Sequence, residues 1–318
     1  MVSVSAVIPT HGRPELLMRA VRSTLAQTLR EIEAVVVIDG EDPATERALE
    51  ALAHEDSRVR VVVLRHRVGG SEARNCGVAH ARGEWIAFLD DDDEWLPEKL
   101  EAQLRVVASS TAPVAIGTCK IIARTPGRDY VWPRRTPEAG EKICEYLLAR
   151  RTLSRGEGSI QTSTFFVRRS LMLALPFKSG QLKHQDTEWL LRVSRIPGAE
   201  AVFVNEVLAV HYIEEERASV SSKANWQYSL AWVRSDRHLF TPRAITGFVF
   251  HQIAPEASEQ RDWRAFPTLL WEGLRYGRST PRDYAIFLAM WLLPRQRRRR
   301  LRDWMAQWSM LRPLVQAR

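Results

Sequence analysis

Gly83-Glu84-Trp85-Ile86-Ala87-Phe88-Leu89-Asp90-Asp91-Asp92-Asp93-Glu94 is an apolar run of five residues closed by five consecutive acids. So short an apolar run, bounded by glycine and charge, reads as a strand buried on both faces. The acids that follow cannot enter a core. Two like charges ~4 Å apart repel by about 1 kcal/mol in water and by several times that near a protein surface. The run therefore belongs at an exposed strand end, where cations must answer it. Hard carboxylate oxygens suit Mg2+ or Mn2+, which keep waters and take substrate phosphates. The plain alternative is a solvated loop that caps the next helix. An EF-hand loop is excluded because its spacing and central glycine are absent.

Working outward, the strand–helix alternation repeats. Val2–Ile8 reads as a strand ending at Pro9, and Pro14–Leu25 as a helix with proline in its first turn. Ala34–Ile38 and Val59–Leu64 read as strands, with a helix over Glu46–Ala53 between them. Ser71–Arg82 reads as a helix with Ser71 as its N-cap and Gly83 beyond its end. A further helix carries Leu96, Leu100, Leu104 and Val107 on one face. Such alternation predicts an α/β fold: a mixed, mostly parallel, Rossmann-like sheet with helices on both faces. Val114–Arg124 and Ser159–Val167 read as strands joined by an irregular connection, Thr125–Gly140. A short helix over Asp186–Ser194 and strands at Ala201–Val204 and Val207–Ile213 follow, then a polar segment, Glu214–Ser222, with the composition of a mobile loop. From Trp226 onward the pattern is helical. The predicted division is 1–110, 111–222 and a helical C-terminal region over 223–318.

The 318 residues suffice for a core without disulfide or metal. Cys76, Cys119 and Cys144 are too few and too scattered for a disulfide framework or zinc cluster, and read as reduced thiols. The formal charge is +8, and residues 291–318, with eight arginines and one acid, hold +7 of it. A basic tail implies an anionic partner. The N-terminal residues do not resemble a signal peptide, and the longest apolar run, Tyr284–Leu293, is too short to span a bilayer. No dinucleotide-binding fingerprint, Walker A loop or nucleophile elbow is present, which disfavours three large enzyme classes.

Ligands of open α/β sheets bind beyond the carboxyl ends of the strands. Those ends carry Pro9-Thr10-His11-Gly12-Arg13, Asp39-Gly40, Arg65-His66-Arg67 and the acidic run. Val7-Ile8-Pro9-Thr10, Val37-Ile38-Asp39-Gly40, Ala73-Arg74-Asn75-x-Gly77 and Gly83-Glu84-Trp85 through Asp93-x-Trp95-x-Pro97 together resemble glycosyltransferase family 2, inverting enzymes of the GT-A fold. The resemblance is strong over residues 2–110. It continues through Gln161-Thr162-Ser163 and His184-Gln185-Asp186-x-x-Trp189 to about Ser222.

The resemblance implies roles: residues 1–110 would form the nucleotide-sugar-binding half and 111–222 the acceptor-binding half of a GT-A domain. Pro9, Thr10 and Arg13 would lie against the nucleotide sugar, Asp39 would accept hydrogen bonds from base or ribose, and Arg74 would help hold the donor. Asp90-x-Asp92 matches the D-x-D element, with Asp91 near the ribose and Asp92 on a Mg2+ or Mn2+ ion that His211 could complete. The middle residue of D-x-D is itself an acid here, which leaves open which carboxylate meets the metal. Asp186 matches the general base. Its place at a helix N-terminus gives it a second reading, as a cap whose pKa the helix dipole keeps low. Glu188 is its near competitor, turned to another side, and Arg217 could clamp the leaving diphosphate.

The expected function is metal-dependent transfer of a sugar, with inversion, from a UDP- or dTDP-sugar to a hydroxyl of a glycan or lipid-linked acceptor in cell-surface polysaccharide synthesis. The alternatives are a sugar-1-phosphate nucleotidyltransferase and a non-catalytic membrane- or nucleic-acid-binding module. The apolar stretch at Tyr284–Leu293, the six arginines of 295–302 and Trp304 and Trp308 predict a peripheral protein on the cytoplasmic face of an anionic membrane, with no nucleic-acid partner.

Overall fold

The computed structural model describes residues 2–152, 156–213 and 225–293. Arg217, the 214–222 segment, the arginine run and Trp304 and Trp308 lie outside the described residues. Two compact units form: 1–136 with 159–221, and 137–158 with 222–318. The segment 137–158 therefore packs with the C-terminal helices, although the sequence groups it with the acceptor-binding half. Its helix, Ile143–Leu148, buries Ile143, Cys144, Tyr146 and Leu148.

The first unit is a nine-stranded mixed sheet of β1 (Val4–Thr10), β2 (Ile32–Ile38), β3 (Val59–Val63), β4 (Trp85–Phe88), β5 (Glu94–Trp95), β6 (Val114–Arg124), β7 (Asp129–Trp132), β8 (Phe166–Arg168) and β9 (Ala199–Tyr212). Their order is β3-β2-β1-β4-β8-β6-β9-β5, with β7 beside β6. β1 to β4 are mutually parallel, as the alternation with helices requires. β8 then runs antiparallel to both β4 and β6, which makes the sheet mixed, as expected. Both faces are covered. The Ile32, Ala34, Val36 and Ile38 side packs with Leu17, Ala20 and Val21 of helix α1 (Pro14–Leu25), and the Val35 and Val37 side packs with Ala73 of helix α3 (Gly70–His80).

Three local expectations are corrected. Ser71 lies inside α3; the N-cap is Gly69, whose φ of +93° suits glycine and turns the chain into the helix. Ser159–Val167 is not one strand, because Thr162–Thr164 form a 3-10 turn before β8. Thr164 donates there to the Gln161 carbonyl, a local bond that competes with strand pairing. The two late strands are one, β9, whose register against β6 shifts near Lys120 where exposed Asn205 and Glu206 interrupt the apolar pattern.

Gly77 shows why α3 can lie so close to the sheet. A Cβ there would stand 2.4 Å from Val7 Cγ1 and 3.1 Å from Val37 Cγ2, both on buried β-branched side chains. Gly77→Ala should destabilise the chain by about 1–3 kcal/mol, the usual cost of overpacking. Urea unfolding reads this directly; an unchanged midpoint would show that the helix can lift away without cost.

Candidate active site

Because β1, β2 and β4 are parallel neighbours, their carboxyl ends emerge on one edge. Thr10, at the end of β1, donates from Oγ1 to Asp91 Oδ2 at 2.8 Å. Asp39, just past β2, is buried and accepts two backbone N–H bonds, from Val68 at 2.6 Å and Gly69 at 2.9 Å. It thereby fastens the loop between β3 and α3 to the sheet edge.

The five acids do not face one another. Asp90 pairs with Arg74 at 2.5 Å. Asp91 accepts from Thr10 and from Arg13, whose guanidinium also reaches Asp92 at 3.1 Å. Asp93 is buried, accepting from Ser163 Oγ at 2.5 Å and bonding His211 Nδ1 at 2.9 Å. Glu94 accepts from the Tyr212 hydroxyl at 2.9 Å. Register explains the last two pairs: β5 is antiparallel to β9 with Glu94 opposite Val210, so the preceding acid meets the following histidine. Burial and the Asp90 charge hold the Asp91 carboxyl above its ordinary pKa, against the pull of Thr10 and Arg13. Burial alone would lower the His211 pKa, but the hydrogen bond to Asp93 and the charges of Asp93, Asp92 and Asp90 raise it overall.

Asp186 reaches the same edge from helix α7 (Gln185–Val193). An aromatic cluster anchors that helix, with Trp189 centred 5.4 Å from Phe165 and 5.8 Å from Phe177. The Trp189 indole also donates to the Leu175 carbonyl at 2.7 Å. Arg74 bridges to the helix by donating to Gln185 Oε1 at 2.9 Å. Gly70 leaves room for that bridge, since a Cβ there would stand 3.1 Å from Arg74 Nη1 and 3.2 Å from Gln185 Oε1. The N-cap of α7 is His184, held at φ +65°. Asp186 is the second helical residue and accepts from its neighbour Thr187, from the N–H at 2.7 Å and from the hydroxyl at 3.4 Å. The expectation that the dipole keeps its pKa low is overturned. Burial raises it, with Asp90 adding to the rise and Arg74 and the Thr187 bonds opposing. Glu188, fully buried, is taken up by Arg192 at 2.6 Å and is no rival base.

Residues 5–173 match the family profile described as Glycosyl transferase family 2, which is more than half of the chain. The chain belongs to that family. This glycosyltransferase is 25% identical over 251 residues to the "Amylovoran biosynthesis glycosyltransferase AmsB" of Erwinia amylovora, covering 77% of this chain and 81% of that protein. Among solved structures it resembles S. aureus TarS 1-349 in complex with UDP-GlcNAc, with TM-score 0.58 and 15% identity over 90% of this chain and 84% of that one. It also resembles the mannosyltransferase PcManGT from Pyrobaculum calidifontis in complex with GDP-Man and Mn2+, with TM-score 0.53 and 17% identity over 98% and 81%. These two likenesses show the GT-A fold. The nucleotidyltransferase and binding-module alternatives fall with the family assignment.

Around this glycosyltransferase's acidic loop the donor chemistry fits a hard divalent cation. Asp90 and Asp92 keep oxygens at the edge of the loop, and Asp93 fixes His211 through Nδ1, the outer-sphere arrangement that orients a ligating histidine. Among the described residues, no three His, Cys, Asp or Glu side chains stand as a ready-made cage. Arg74 Nε and Ser71 Oγ, both buried, have no hydrogen-bond partner among the described residues, so polar capacity remains at the start of α3.

Sequence reasoning missed Ser163, which ties both the Asp90 N–H and the Asp93 carboxylate to the 3-10 turn. It also missed Gln185 as the bridge to Arg74, and Tyr212, whose ring Arg19 covers at 3.8 Å. Both Ser163 and Gln185 sit inside family-like motifs, and that was their only signal.

The raised pKa of Asp186 has a consequence for stability. The folded chain holds this proton above the ordinary 3.8, so stability falls as pH rises from about that value through the folded pKa, then stays lower. Asp186→Asn keeps an oxygen for the Thr187 N–H and removes the ionisation. Its melting temperature should exceed that of the parent near pH 7 and match it near pH 3. A variant about 1 kcal/mol less stable at pH 7, as loss of a cap would make it, contradicts this reading.

Proposed function

We propose that this glycosyltransferase binds a nucleoside-diphosphate sugar, UDP- or dTDP-linked, across the edge formed by Pro9, Thr10, Arg13, Asp39, Arg74, Asp90 and Asp91. In a single displacement it passes the sugar to a hydroxyl of a glycan or lipid-linked acceptor during polysaccharide synthesis. The observation that carries the reading is Asp186: a carboxylate of raised basicity, within electrostatic reach of Asp90 and Arg74. AmsB's part in amylovoran biosynthesis and the nucleotide sugars bound by TarS and PcManGT support the product class and the donor class.

Asp186 takes the proton of the acceptor hydroxyl as its oxygen attacks C1, and a basicity nearer neutrality suits that transfer. Attack opposite the diphosphate inverts the anomeric centre. Arg74, in contact with Asp90 and Gln185, holds its guanidinium between the donor edge and α7, so donor and base keep a fixed spacing. Arg13, bridging Asp91 and Asp92, stands where diphosphate charge would arrive, and a planar guanidinium suits phosphate oxygens. Asp92 and His211 would hold Mg2+ or Mn2+, which would neutralise charge on the departing nucleoside diphosphate.

Release of nucleoside diphosphate from UDP- and dTDP-sugars in the presence of an acceptor extract tests this. Asp186→Asn should lower kcat by about 10²- to 10⁴-fold with donor affinity little changed. Asp92→Asn should abolish metal-dependent turnover while leaving the melting temperature near that of the parent. Activity undiminished by EDTA, or normal kcat in Asp186→Asn, overturns the mechanism.

A further inference from the structure

The second unit carries a surface that sugar transfer does not use. Its helices are α5 (Ile143–Leu148) and, after α6 (Arg169–Ala174) and α7 of the first unit, α8 (Trp226–Ser235), α9 (Pro242–Phe248), α10 (Ala254–Glu259), α11 (Ala265–Tyr276) and α12 (Pro281–Leu292) among the described residues. On α11, Trp271 and Leu274 lie one turn apart and are 61% and 55% exposed. On α12, Leu288 and Leu292 lie one turn apart and are 43% and 70% exposed. Trp263, just before α11 and itself exposed, packs 5.3 Å from Trp291, the neighbour of Leu292, so the start of α11 lies against the end of α12. Scattered exposed apolar residues need no explanation, but exposed tryptophan and leucine paired one turn apart on each of two helices do.

Within residues 264–293 the outward charge has one sign, with Asp262 the acid just before them. Residues 264–293 contain two acids, Glu272 and Asp283, and both are buried. Glu272 is taken up by Arg234 and Arg237, and Asp283 by Arg243. The outward charges of this stretch are therefore Arg264, Arg275, Arg278 and Arg282, all exposed. Directly after it the sequence adds six arginines between 295 and 302. No helix among the described residues is long and apolar enough to cross a membrane.

We propose that this outer face of α11 and α12 is the surface by which the protein lies on a bilayer bearing anionic lipid. Tryptophan and leucine would enter the headgroup–acyl boundary while the flanking arginines meet lipid phosphates and carboxylates, the arrangement of an interfacial rather than a spanning helix. Leucines, which give nucleic-acid bases nothing to stack on, favour a lipid over an RNA partner. The inference goes beyond the transferase reading and stands apart from it, because vesicle binding needs neither donor nor acceptor.

The test is flotation of the full chain with vesicles of phosphatidylcholine alone or mixed with phosphatidylglycerol. The parent should float with the anionic vesicles and not with the neutral ones. It should be released in about 1 M salt, where the Debye length falls to about 3 Å. The double variants Trp271→Ser/Leu274→Ser and Leu288→Ser/Leu292→Ser should each bind at least tenfold more weakly, with unchanged nucleoside diphosphate release in solution. No flotation with anionic vesicles overturns the proposal, as does stripping of the protein from vesicles by RNA. Flotation of both variants equal to the parent would place attachment in residues 294–318 and overturn the assignment to this face.

Discussion

Five carboxylates in succession can share one loop only if each is met by a donor group, and the acidic edge of the sheet is organised around that requirement. Arg74 comes from α3, Arg13 and Thr10 from the end of β1, Ser163 from the 3-10 turn, and His211 and Tyr212 from β9. Each pairing pins its own element to the acidic run. The repulsion of the acids therefore becomes a set of tethers drawn from across the chain. Buried hydrogen-bonded networks of this kind specify one arrangement, since any partner lost leaves a charge unanswered in a low-dielectric setting.

The same tethers link fold to chemistry. Arg74 touches Asp90 on one side and Gln185 on the other, so the guanidinium that answers the acidic loop also fixes the start of the helix bearing Asp186. The helix is held independently by Trp189 among Phe165 and Phe177. A carboxylate anchored from both sides stays at a set distance from the acidic edge, which is what the proposed role of proton acceptor requires.

Much of this was legible in the sequence. Strand periodicity and the polar residues after each strand were sufficient to bring Thr10, Asp39 and Asp90–Asp93 to one edge, because parallel neighbours emerge on the same side, while Arg74, inside a helix, was marked only by the family resemblance. What pattern could not carry was register. That Asp93 rather than Asp92 holds His211 follows from the two-residue β5 pairing with β9, too short to leave a periodic signal. The direction of the Asp186 pKa was misjudged for a related reason. A helix N-terminus is visible in sequence, whereas the burial that outweighs the dipole is a property of what packs over it. The grouping of 137–158 with the C-terminal helices is likewise a long-range matter that local composition does not record.

The central claim is that the acidic edge binds a nucleoside-diphosphate sugar together with a divalent cation. Thermal denaturation of the full chain across a panel of nucleotide sugars, with Mn2+ and with EDTA, measures this without knowledge of the acceptor. A true donor at 100-fold its Kd should stabilise the protein by about 2.7 kcal/mol with Mn2+, and by clearly less with EDTA. A panel in which no nucleotide sugar shifts the transition in Mn2+, or in which the shift is identical in EDTA, would contradict the account.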